Sequence, residues 1–273
     1  MNGPIAQSVA LVCHGNAFLA GTRAPFFPAN STCRYCDRVE FVALAPAPNG
    51  EMEAAPVAST PGAWFAHLAA SGVTGLLLAH APRGRPLVAD RMSAGFVGGG
   101  EVWAIEALHA GGRCEVWHDR WEVWNRTAPE RRIWRVTYGR VESAAAPAAL
   151  HEEIAPVRDE LRAALGDIHD FARRNQCGGF TDCFARALAV LGGTQGAKRG
   201  FHQDLAPVGF LGPDALAVLD ACQHASVFGG MGSWNDMAFA GAESEAYDRV
   251  SERLFRAINR AIAAAANSTC RAR

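Results

Sequence analysis

The chain has 273 residues, 49% of them hydrophobic and 19% charged, with a formal net charge of −1. That length and balance suit one large or two small globular domains and exclude a collagen-like, coiled-coil or wholly disordered chain. The near-zero charge supplies no bulk attraction to nucleic acid or anionic lipid, which argues against nucleic acid as a partner.

Alanine occurs 53 times, and the 26 basic residues are 25 Arg and one Lys, Lys198, a skew that reads as the codon bias of a GC-rich, bacterial genome. Residues 1–12 carry no basic group of a secretory leader, and no run reaches the ~20 apolar residues that span a bilayer. The expectation is a soluble, cytoplasmic protein with no membrane partner, whose eight Cys stay reduced.

In chain order, residues 8–18 form a mostly apolar, strand-like run, and 38–44 form a second. Residues 45–61, rich in Pro, Ala and acidic groups, read as a long exposed loop. A short helix is expected over 63–70 and a buried strand over 73–79. Residues 101–109, 114–124 and 131–141 make a three-stranded antiparallel meander, its first turn built on Gly111 and Gly112. The composition changes at 143–147. Beyond it, Ile154, Val157, Leu161, Leu165, Ile168 and Phe171 recur at helical steps, and further helices are expected over 182–191, 213–225 and from Ser244. The fold class is therefore α+β: an N-terminal, mostly antiparallel sheet with an inserted short helix and a Trp-rich meander, followed by or packed against a helical half. The division falls at 1–142 and 143–273, as two regions or as two layers of one domain.

Cys183 is placed in the first turn of the helix expected over 182–191, where free N–H groups favour a thiolate. His224 is the candidate base, and Asp236 or Asn235 the group that orients it. This makes a thiol-dependent hydrolase or acyltransferase the leading function, against the bland alternative of a buried structural thiol. The glycine-dense loop 228–236 offers Gly230, Ser233, Trp234 and Asn235 as ligand contacts, and a second such loop lies at 90–100; dense glycine equally serves a tight chain crossing.

Cys33 and Cys36 have the gap of a zinc pair, and Cys13 with His14 could complete four ligands, but no second pair of that spacing follows, so no metal or other cofactor is assigned and zinc stays a weak alternative. Trp103, Trp117, Trp121, Trp124 and Trp134 fall on the meander. They read as core, or as a platform for a sugar or nucleobase beside Arg131, Arg132, Arg135 and Arg140. The alternative function is accordingly a non-catalytic binding or assembly protein that uses the Trp-rich sheet and glycine loops for a small-molecule or peptide ligand, or for subunit contact.

Overall fold

In the computed structural model the described residues are 1–46, 52–84, 88–144, 146–149, 151–194 and 199–271, the side chains of 142–144 aside. The chain begins with a helix, α1 (Gly3–Leu19), where a strand was expected. Asn2 caps it by accepting the Ile5 N–H at 3.0 Å, and Pro4 sits in the first turn, where its missing N–H costs nothing. Every residue from Ala6 to Ala17 is buried. A helix covered on all sides shows no polar stripe, so the run carries no 3.6-residue period to distinguish it from a buried strand.

Six strands form one sheet: β1 (Cys36–Pro46), β2 (Met52–Ala58), β3 (Val73–Ala81), β4 (Val102–His109), β5 (Cys114–Val123) and β6 (Trp134–Ala144). Their order is β2-β1-β6-β5-β4-β3. Only β1 and β6 run parallel; the other four pairings are antiparallel, and β4-β5-β6 is the expected meander. β2 corrects the reading of 45–61 as loop, although residues 47–51 lie outside the described ones. Helix α2 (Pro61–Ala70) covers one end, and Phe41 stacks between Trp64 at 4.3 Å and Tyr138 at 5.3 Å.

A four-residue turn of helix, α3 (Asp90–Ser93), precedes β4, and the remaining helices are α4 (Ile154–Arg174), α5 (Gly178–Leu191), α6 (Pro213–His224) and α7 (Ala242–Asn267). The stripe expected on α4 is buried along Val157, Leu161, Leu165, Ile168 and Phe171. α7 packs on α4, α6, α1 and β3, so one hydrophobic core runs through both halves of the chain. Where the chain passes from sheet to helices, the buried Glu106 carboxylate accepts the Ala148 and Ala149 N–H groups at 2.8 and 2.9 Å. No helix among the described residues is long and apolar enough to cross a membrane.

Candidate functional site

The meander splits at one end. Among the described residues β4 pairs with β5 only where Ile105–Leu108 faces Cys114–Trp117. Beyond that point β4 stays with β3 as far as Val102, while β5 stays with β6 as far as Val123. His118 fills the wedge: its Nδ1 lies 3.1 Å from the Trp103 carbonyl and takes the place of a ladder hydrogen bond. A crevice of about 280 Å³ opens there. Trp103, His118, Asp119 and Trp121 line one wall, Gly98–Gly100 form a rim, and Ser8 of α1 with Phe255 and Asn259 of α7 face them.

The hydrogen bonds set the chemistry of these groups. A carbonyl only accepts, so Nδ1 of His118 carries a proton, and in the neutral ring the lone pair is on Nε2. Burial raises the Asp119 carboxyl above its ordinary value, while neighbouring donors and His118 pull the other way. Asp119 stands opposite Tyr138 in the β5–β6 register. The Tyr138 hydroxyl donates to Gln7 Oε1 at 3.2 Å and lies 3.3 Å from Ser8 Oγ, and Gln7 Nε2 in turn serves the Thr32 carbonyl at 3.2 Å. A polar chain thus reaches from the crevice through the core. On the crevice side of α7, the Asn259 amide nitrogen is buried without a hydrogen-bond partner. Glu101, also buried, is held by His80 Nδ1 at 2.5 Å, and Arg83 fastens the rim by donating to the Gly98 and Gly100 carbonyls.

The two glycine-dense loops cross each other. A Cβ on Gly95 would run into the backbone of Gly229 and Gly230. This is the tight-crossing role of dense glycine, and Gly230 belongs to it. Gly95→Ala is expected to cost about 1–3 kcal/mol, because backbone on the far side cannot rotate away; a urea midpoint equal to the parent's would refute the crossing.

Trp234, expected as a ligand contact, is fully buried. Ser233 caps the 3-10 turn Trp234–Asp236 through the Asn235 N–H, and Asn235 Nδ2 donates to the Arg91 carbonyl at 2.8 Å. Asp236 accepts the Gly232 N–H. These residues build the loop.

Cys183 lies in the second turn of α5, since the helix begins at Gly178, four residues before the expected start. Its backbone N–H is inside the helix, and the macrodipole effect fades beyond the first turn. The Cys183 sulfur accepts Arg186 Nη2 at 3.2 Å, and His224, the last residue of α6, lines a different hollow with Arg199, Phe201 and His202.

Cys33 and Cys36 share the amide of Gln7, at 3.7 and 3.5 Å, and burial pushes the two thiols up to about 12 and about 11. Cys13 is fully buried in α1, also pushed up to about 12, and its neighbour His14 reaches the Asp204 carbonyl at 3.0 Å instead. Among the described residues no three His, Cys, Asp or Glu side chains are grouped so as to hold a metal ion. Of the arginines beside the meander, Arg132 meets Glu130 at 3.0 Å, Arg135 meets Asp37 at 3.4 Å and Arg140 meets Glu115 at 2.9 Å, so their charges are already opposed by carboxylates.

Three of the crevice residues, His118, Asp119 and Asn259, escaped the sequence reading, His118 as one of several scattered histidines. Asp119 sits between Trp117 and Trp121 at strand spacing, and a carboxylate flanked by two indoles was its signal. Asn259 carried none, being one polar residue in a long helix.

No protein family, curated protein or solved structure matches this chain.

Proposed function

We propose that this chain binds a small molecule with a flat face, of the size of a monosaccharide or nucleobase, in the crevice at the β4–β5 split, and moves a proton on it. The observation that carries this reading is the pair at the split: a carboxyl that burial inclines toward its neutral form beside an imidazole whose tautomer is fixed. Asp119 is the proton donor and His118 Nε2 the acceptor. Trp103 and Trp121 offer ring faces, and the Asn259 amide offers a donor to a ligand oxygen. Eight cysteines with no disulfide among the described residues suit a reducing cytosol. A thiol-dependent reaction at Cys183 has less support, since the free N–H groups of α5 lie a turn away from that sulfur.

The test is a saturation-transfer NMR screen of monosaccharides and free nucleobases against the parent and Trp121→Ala. At least one compound should bind the parent, and the variant should lose about tenfold in affinity, as expected of one stacking ring. No binder in either class, or a binder indifferent to Trp121, refutes the reading.

A further inference from the structure

A second group of polar side chains lies apart from the crevice, where residues 199–205 meet the 3-10 turn Ser31–Cys33. Ser31 Oγ is 2.7 Å from His202 Nδ1 and also bonds a carboxylate oxygen of Asp204. The second Asp204 oxygen accepts the Ser31 N–H at 2.7 Å, and the Asp204 carbonyl accepts from Asn30 Nδ2 at 2.7 Å. These are the residue types of a serine hydrolase in a different order, with the hydroxyl between imidazole and carboxylate. A carboxylate only accepts, so Ser31 gives its proton to Asp204 and His202 Nδ1–H donates to Ser31. The N–H groups of Ser31 and Thr32 are taken by Asp204 and Asn30, which leaves neither for an oxyanion. Ser31 therefore positions His202, and the lone pair of the imidazole is on Nε2.

The rest of His202 is held as firmly. Gln223 grips its backbone from both sides, accepting the His202 N–H at 2.7 Å and donating to its carbonyl at 3.1 Å. The ring borders a hollow of about 620 Å³ together with Arg199, Gln203 and His224. Arg199 is anchored by its Nε to the buried Asp220 at 3.1 Å. Burial lowers His202 below its ordinary value, while Asp204 draws it up and the Met1 amino group opposes its charge. The other charged or titratable groups at this hollow are Arg199, its partner Asp220, and His224.

We propose that this hollow binds the oxyanion of a small molecule, a phosphate or a carboxylate, with Arg199 donating from the guanidinium nitrogens beyond the Nε that holds Asp220 and His202 Nε2 taking a proton from solvent as the anion arrives. Ser31 and Asp204 hold the ring so that this nitrogen faces the ligand. Since an arriving anion favours the imidazolium, affinity falls as pH rises through the His202 range.

Calorimetric titration of the full chain with inorganic phosphate and with acetate, at about pH 6 and about pH 8, tests this. At least one anion should bind at the lower pH with uptake of about one proton, read from two buffers of different ionisation enthalpy, and should bind about tenfold more weakly at the higher pH, which corresponds to a change of about 1.4 kcal/mol. Binding of phosphate but not acetate names the phosphate source, and the reverse names a carboxylate. His202→Gln should abolish the proton uptake, and Arg199→Lys, which keeps a cation opposite the buried Asp220 but loses the planar fork, should weaken binding several-fold. No heat with either anion, or unaltered binding in both variants, overturns the proposal. So does a His202 pKa, followed by NMR, that saturating phosphate leaves in place.

Discussion

Replacing Trp234 by Ala should lower the unfolding free energy by about 3–5 kcal/mol, the range for deleting a fully buried aromatic side chain. The indole sits edge-on to Phe180 at 5.2 Å and Phe184 at 5.4 Å, both on α5, and tilts over Tyr247 of α7 at 5.4 Å. Its Nε1–H donates to Ser251 Oγ at 2.7 Å, and the Tyr247 hydroxyl donates to the Trp234 carbonyl at the same distance. Truncation would leave a cavity between α4, α5 and α7 and strip the fully buried Ser251 hydroxyl of its donor. Trp234→Phe should fall between parent and Ala, refilling most of the volume without the hydrogen bond. Urea unfolding with an unchanged m value checks this. A loss below about 0.5 kcal/mol, the scale of a surface substitution, would return Trp234 to the role of an exposed ligand contact.

Trp234 also shows why the candidate site was harder to read than the fold. Loop residues ordinarily lie on the surface, and a glycine-rich loop with a ring and polar groups invites a ligand; here the loop turns inward and its ring plugs the helical layer. The helices α4 and α7 were legible, because each has one buried and one wetter face to impose a period, and the meander was marked by its glycine turn. Helix α1 was not, being buried all round. The start of α5 was misplaced for a local reason. Glycines normally end helices, yet Gln176 takes the left-handed conformation (φ 55°) that closes α4, and Gly178 and Gly179 sit in the first turn of α5. That four-residue displacement moves Cys183 away from the free N–H groups on which its proposed ionisation rested. The crevice depends on where the pairing of β4 with β5 stops, a property of two strands together that neither segment carries alone.

Asp119→Asn should make the protein more stable at neutral pH and less able to transfer a proton. The folded carboxyl is raised above its ordinary value, so the folded chain holds this proton more tightly than the unfolded chain does. Its contribution is greatest at acid pH and is lost as pH rises from about 4 through the raised value, since the unfolded state releases the proton first. An amide has no charge to desolvate. The variant's advantage is therefore close to zero below pH ~4 and grows as pH rises through the raised value. Thermal melts of both proteins across that range give the difference directly. A variant whose deficit grew with rising pH would mean that the carboxylate is stabilised by its neighbours, contrary to the direction set by burial. In an assay with a substrate found for the crevice, the same change should lower turnover by about 10²–10⁴-fold, the usual range for removing a general acid. His118→Gln should do likewise. Stability gained and turnover lost in one substitution mark a group kept for its chemistry rather than its packing.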